Sequence, residues 1–246
     1  MSPKTTILSD FTSATMLLTR LPVRGTPTSD AARAAWAWPL VGLLTAVLAS
    51  AVGWLALWLG VTPAVASMLV LGTLIVSTGA LHEDGLADLA DGFWGGFTRD
   101  RRLEIMRDSR IGAYGVIALV ASLTIRWSLI ATAMIKMEPG VVLIAAVVSR
   151  APMAVMMRWL PPARTDGLSR GTGVPPLSAT LVGLALAFVA LLFAGPGGLA
   201  AGGLVLLVLL GLGWLARRKI GGQTGDVLGA LQQMSEIAVL VALTSG

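Results

Sequence analysis

The stretch HEDGLADLADGFWGG, residues 82–96, places five ionisable side chains, His82, Glu83, Asp84, Asp88 and Asp91, within ten residues of a chain otherwise rich in Leu, Ala, Val and Gly. The chain has 246 residues and thirteen acids, and seven of those acids lie between Glu83 and Asp108. Asp84, Asp88 and Asp91 are spaced i, i+4, i+7, which puts them within an arc of roughly 60° on one helical face. Three like charges on one face repel each other, and a divalent cation reverses that sign. Hard carboxylate oxygens suit Mg²⁺ or Mn²⁺, which takes one or two carboxylates and completes its shell with substrate phosphates. Glu83, Asp84, Asp88 and Asp91 are therefore the candidate metal ligands, and one of these acids can instead serve as a general base. An ordinary solvated helix face would mix signs, whereas 82–98 holds neither Lys nor Arg.

The opposite charge follows at once. In RDRRLEIMRDSRIGAYG, 99–115, the residues Arg107, Ser109 and Arg110 flank a lone Asp108 just before a Gly-rich helix entry. Arginine grips phosphate oxygens in a planar fork, so Arg107 and Arg110 are the substrate candidates here, while Arg101 and Arg102 read as anchors. A second polar cluster, RRKIGGQTGDVLGALQQMSE at 217–236, offers Gly222, Thr224 and Asp226 at the start of a helix, where backbone N–H groups favour an anion. LPPARTDGLSRGTG, 160–173, carries Arg164, Asp166 and Arg170 in a Gly/Pro-rich segment suited to covering a ligand. His82 fits a ligand, a base or a polar cap. Arg126 and Arg150 fall inside apolar runs, where a charge is costly and marks either a site or an interhelical pair, Glu236 being the partner at hand. Gln232, Gln233 and Glu236 are too polar for a lipid-facing surface and should point into the bundle.

These residues need elements to hold them, and the composition says which. Hydrophobic residues make up 55% of the chain and charged residues only 13%, about half the usual charge of a soluble domain. Cysteine is absent, which excludes disulfides and thiolate metal sites. Several apolar runs reach the ~20 residues that cross a hydrocarbon layer. The expected fold is an all-α, polytopic integral membrane bundle forming a single domain over 1–246. Seven spans are expected, near 37–59, 63–81, 112–135, 140–160, 177–195, 197–215 and 225–243, with the catalytic stretch 82–111 as a loop between them. Residues 7–18 have helical spacing, which suits a short N-terminal amphipathic helix on the membrane surface or an ordinary packed one. No apolar core with a small-residue cleavage site follows the first Met, so no removed leader is expected.

Sidedness follows from the basic residues. With the N-terminus inside, Lys4, Arg20, Arg24 and Arg33 fall in the cytoplasm, as do Arg99, Arg101, Arg102, Arg107 and Arg110. Arg158, Arg164, Arg170, Arg217, Arg218 and Lys219 join them, and Lys136 alone falls outside. The acidic stretch is thus expected on the cytoplasmic face of the membrane. The net charge of +5 is explained by this bias and needs no nucleic-acid partner. Acids, arginines and a glycine-rich turn at one membrane face suggest a metal-dependent transferase acting on a diphosphate.

LHEDGLADLADGFWGGFTRDRRLEIMRDSRIGAYGVIAL, 81–119, resembles the signature block of the cobalamin synthase family, the adenosylcobinamide-GDP ribazoletransferases. The resemblance extends to FTSATMLLTRLPV (11–23), SRAPM (149–153), ARTDGLS (163–169) and GGQTGDVLGA (221–230). It implies an integral membrane enzyme that joins adenosylcobinamide-GDP to α-ribazole, or to α-ribazole 5′-phosphate, and releases GMP with Mg²⁺. It further implies that Asp84, Asp88 and Asp91 hold metal against the diphosphate and that Arg107 and Arg110 steady its phosphates. Asp108 or one of the triad would take the proton of the attacking ribose hydroxyl, and Asp226 with its glycines would complete the nucleotide side. Homo-oligomers and docking of other late cobalamin-pathway enzymes on the cytoplasmic loops are compatible with this picture.

Rival families fit less well. CDP-alcohol phosphatidyltransferases need Ala-Arg after Asp-Gly, where this chain has Ala87-Asp88 after Asp84-Gly85. Aspartate-rich prenyltransferases need two acidic motifs, and one is present. A transporter built on Arg126, Arg150 and Glu236 leaves the acidic cluster unexplained.

Overall fold

The computed structural model describes residues 7–25, 28 and 30–245; Lys4 lies outside them. The described residues form helices and no strand. They run as α1 (Ile7–Leu18), a 3₁₀ turn (Ala31–Ala37), α2 (Trp38–Trp58), α3 (Pro63–Thr78), α4 (Leu81–Gly95), α5 (Arg99–Ile105) and α6 (Ala113–Ile135). There follow α7 (Gly140–Val148), α8 (Ala151–Trp159), α9 (Leu168–Thr172), α10 (Leu177–Phe193), α11 (Pro196–Ile220) and α12 (Gly225–Thr244). Proline sits in the first turn of α2, α3, α8 and α11, where its missing N–H costs nothing.

The chain forms the expected all-α membrane bundle, while length and apolar composition alone single out fewer than seven of its helices as spans. Five helical stretches among the described residues are long and apolar enough to cross a membrane: 31–58, 113–135, 140–159, 196–220 and 225–244. A sixth arises only if α3 and α4 count together, and they meet at an 86° bend. Gly79 (φ 64°) and Ala80 (φ 58°) are both left-handed, so the chain turns sharply between them. α10, at 17 residues, falls short of the length of the others. The stretch expected as a loop from 82 to 111 is mostly helix, α4 followed by α5. Its polar composition suggests a loop, but α4 buries His82, Glu83 and Asp91 within the bundle, while α5 buries none of its residues.

α7 and α8 form one span interrupted at Ser149–Arg150, because Pro152 has no N–H to give to the preceding turn. α2 approaches this break closely: a Cβ on Gly42 would collide with the Ala146 carbonyl and the Arg150 side chain. α1 is a packed helix. It turns Asp10, Ser13, Ala14, Thr15 and Leu18 inward and leaves Ile7 and Leu8 exposed. The Asp10 carboxylate accepts the indole N–H of Trp36 at 3.1 Å, and the Ser13 hydroxyl accepts the Thr28 N–H at 2.8 Å.

α12 is the pillar of the bundle, in contact with α4, α6, α7, α8 and α11. One core cluster fills the half near α1, α4, α8 and the start of α12, and a second fills the half near α2, α3, α6 and α7.

Candidate active site

Two glycines decide where the acids meet. α4 and α12 cross with Gly85 against the backbone of Asp226 and Gly229. A Cβ on Gly85 would stand 3.0 Å from Asp226 Cα, and one on Gly229 would stand 3.2 Å from His82 Cα. Small residues let helix backbones approach this closely. The crossing brings Asp84 and Asp88, one turn apart on α4, beside Asp226 in the first turn of α12. The three carboxylates act electrostatically on one another, with Arg164 opposing them.

A short backbone pairing places Arg164. The 161–163 segment runs parallel to 221–223: Gln223 N–H donates to Pro161 O at 2.9 Å, and Ala163 N–H donates to Gln223 O at 2.8 Å. Gly222 is needed here because a Cβ would strike the Pro161 carbonyl. Arg164 then forms an ion pair with Asp226, whose Oδ2 also accepts from the Thr224 hydroxyl at 3.1 Å. Thr224 caps α12 through the Val227 N–H. From α5, Arg99 donates to Ile220 O at 3.0 Å and to Ala163 O at 2.8 Å, while Arg102 donates to Lys219 O at 3.1 Å. These guanidiniums satisfy carbonyls at the C-terminus of α11, where positive charge is favoured.

The outcome is a cavity of about 170 Å³ at the α4–α12 crossing. His82, Asp84, Arg164, Asp166, Thr224 and Asp226 supply its polar lining. The 164–169 segment runs along its rim, consistent with the covering segment expected from its sequence. Its apolar lining includes Leu17 and Leu18 of α1, Trp38 of α2, and Met153 and Met157 of α8. Composition alone did not single out these apolar residues or Gln223, because nothing local separates a lining Met from a core Met.

Other candidates are placed elsewhere. Asp91 is buried and serves α6: it accepts the Gly112 N–H at 2.7 Å and the Gly115 N–H at 2.9 Å. Both its oxygens are thus committed to a helix N-terminus, which corrects its reading as a metal ligand. Glu83 is also buried, with Oε1 accepting from Arg126 at 2.8 Å and from Gln233 at 3.1 Å, so it points into the bundle rather than toward a metal. Asp108, Ser109 and Arg110 lie apart from the cavity lining. The Asp108 carboxyl is pushed down to about 2 by the hydrogen bonds it accepts from the Arg110 side chain and backbone N–H. Asp108 is thus tied to Arg110 at the surface and does not line the cavity where the other candidates meet. Arg107 pairs with Asp166 at 2.6 Å and so steadies the rim. Arg150 is buried and donates to Ala146 O at 2.8 Å, stabilising the α7–α8 break rather than lining the cavity.

Most intramembrane charges pair in one network, while Glu83 Oε2 and Arg150 Nε keep no partner among the described residues. Arg126 donates to Glu236 Oε1 at 3.0 Å from Nε and to Glu83 and Gln233 at 2.8 Å from Nη1. Gln232 bridges Glu236 at 2.6 Å and Ser149 at 3.1 Å. Arg126 and Glu236 are the interhelical pair expected from sequence; Glu83 as third member is an addition.

Among the described residues no group of three or more His, Asp or Glu stands ready to hold an ion unaided. Asp84 and Asp88, with Asp226 beside them, fit an ion that takes one or two carboxylates and relies on substrate phosphate for the rest.

The family described as cobalamin-5-phosphate synthase matches residues 10–244 of the chain. The adenosylcobinamide-GDP ribazoletransferase of Bradyrhizobium diazoefficiens is 46% identical over 241 residues, covering 96% of this chain and 93% of that protein. The enzymes of the same name from Mesorhizobium japonicum and Azorhizobium caulinodans are 45% and 44% identical, each covering at least 95% of both chains. No solved structure matches. The chain belongs to the cobalamin-5-phosphate synthase family.

Proposed function

We propose that the chain is a membrane transferase that joins adenosylcobinamide-GDP to α-ribazole, or to its 5′-phosphate, and releases GMP. The observation that carries the reading is the α4–α12 crossing, which sets Asp84, Asp226 and Arg164 on one cavity, with Asp88 one turn along α4 from Asp84 and within electrostatic reach of all three. The relatives' names supply the substrates. Asp84 and Asp88 would hold Mg²⁺, and Asp226 stands next to them. Bound Mg²⁺ would supply charge neutralisation at the phosphoryl oxygens.

The chain's own residues do the remainder. Arg164, loosened from Asp226, grips the diphosphate, and the cap at Thr224 presents the free N–H groups of α12 to the same charge. The ribose hydroxyl of the acceptor attacks phosphorus, an O–P bond forms, and the P–O bond to GMP breaks. A carboxylate of the Asp84, Asp88, Asp226 group takes the hydroxyl proton. Asp166, tied to Arg107, keeps the 164–169 rim over the reacting atoms.

The test uses purified protein in nanodiscs, given both substrates with Mg²⁺ or with EDTA. GMP should appear in step with cobalamin product, and chelation should stop both. A folded protein that releases no GMP under any divalent cation would refute the transferase reading.

The active face is proposed to lie in the cytoplasm of a bacterial inner membrane. Fifteen basic residues flank the ends of the spans on that side and only Lys136 flanks the other. Because the chain has no cysteine, single cysteines report cleanly. An impermeant maleimide should label Glu138→Cys in intact spheroplasts and Thr98→Cys only after lysis. The reverse pattern would invert the orientation.

A further inference from the structure

Three polar side chains lining the cavity are almost wholly buried and each keeps an atom without a hydrogen-bond partner among the described residues. They are Trp38, 3% exposed, with Nε1; His82, 3% exposed, with Nε2; and Gln223, 2% exposed, with Oε1. Buried polar atoms are nearly always paired, so these three orphans, with Arg164 Nε on the charged side of the same cavity as a fourth, point to a ligand that completes them. The three are a donor (Trp38), an acceptor (Gln223) and one group able to do either (neutral His82).

The orphans sit on an asymmetric cavity. Charged lining comes from α4, the 164–166 segment and the first turn of α12, whereas α1, α2 and α8 contribute Leu17, Leu18, Trp38, Met153 and Met157. Met153 and Met157 are i, i+4 on α8 and so share one face. Methionine packs against aromatic rings well and adapts to their outline. A guanine edge, with several donors and acceptors, would leave polar groups unpaired on such a wall. An uncharged fused-ring heterocycle with a single ring acceptor would not.

We infer that the α1–α2–α8 wall is the pocket for the base of the acceptor nucleoside, with Trp38 Nε1–H donating to its free ring nitrogen. His82, on α4 with Asp84, and Gln223, in the turn that leads into α12 and Asp226, are left for the hydroxyls of the attached sugar. The assignment rests on the transferase reading and makes Trp38, Met153 and Met157 specificity residues for the acceptor rather than for the nucleotide donor.

The test is equilibrium dialysis of the protein in nanodiscs, without donor, against α-ribazole, benzimidazole riboside and indole riboside, which lacks the ring acceptor. Wild-type protein should bind benzimidazole riboside about tenfold more tightly than indole riboside, and Trp38→Phe should abolish that difference. A purely structural role for Trp38 would weaken both ligands alike, and that result would overturn the proposal. So would a folded wild-type protein that binds no α-ribazole. Met157→Ala should weaken α-ribazole more than its unmethylated analogue and leave guanosine competition unchanged. Guanosine displaced by the same substitution would assign the wall to the donor and overturn the proposal. Should the acceptor bind as expected while adenosylcobinamide-GDP releases no GMP, the pocket stands and the reaction assigned above falls.

Discussion

Arg126→Met is expected to destabilise the folded protein by about 3–5 kcal/mol, the cost of leaving buried partners without their counter-charge. Arg126 is 1% exposed, and its guanidinium is shared by Glu83 of α4 and Glu236 of α12. Both carboxylates belong to the two helices whose crossing builds the cavity, so the guanidinium of α6 ties that crossing from behind. Removing it leaves two buried acids without their direct ion pair, with Arg150 as the remaining cation acting on them. The triple variant Glu83→Gln, Arg126→Met, Glu236→Gln should regain most of the loss, since neutral groups of similar shape carry no such penalty. Unfolding in detergent, followed by circular dichroism, compares the two. If the single variant melts with the wild type, Arg126 is not holding the crossing, and a role in moving charge through the bundle would regain weight. The closed set of hydrogen bonds around Arg126, Gln232, Gln233 and Glu236 argues against that transport role.

Why parts of this arrangement were legible in the sequence, and others not, follows from the forces involved. Hydropathy locates apolar segments well, since each must bury or face lipid along its whole length, and the helices fall where those segments lie. It does not sense a bend: the turn at Gly79–Ala80 depends on two backbone conformations, and Ala80 carries no signal for the left-handed one. The Arg126–Glu236 pair was foreseeable because a charge in an apolar span requires a partner. The acids were separable only in part. Asp84, Asp88 and Asp91 share an arc on α4, but the N-terminus of α6 lies against that helix and takes Asp91 alone. Which acid meets which neighbour is a tertiary fact, decided by Gly112 and Gly115 coming close enough for their N–H groups to reach the carboxylate. The same holds for Gly85 and Gly229, two glycines among the chain's 29 whose importance appears only where the helices cross.

That division among three acids of one helix leads to a contrast in their variants. Asp84→Asn and Asp88→Asn are each expected to lower the rate of GMP release about 10³-fold, a loss typical of removing one electrostatic contributor to a transition state. The Mg²⁺ concentration needed for half-maximal turnover should rise with them, since a carboxamide is a weaker ligand for a hard cation. Their melting temperatures should hold or rise, because Asp84 and Asp88 repel each other and Asp226 when no cation is bound. Asp91→Asn should behave in the opposite way. It keeps one acceptor oxygen for two backbone N–H groups, so the start of α6 loses about 1 kcal/mol or more of capping. Melting falls, while the Mg²⁺ dependence of the remaining folded enzyme stays as in the wild type. Magnesium titrations of turnover and thermal unfolding on the same three preparations separate these outcomes. An Asp91→Asn enzyme that melts normally yet demands far more Mg²⁺ would return Asp91 to the metal and require the N-terminus of α6 to swing away during turnover.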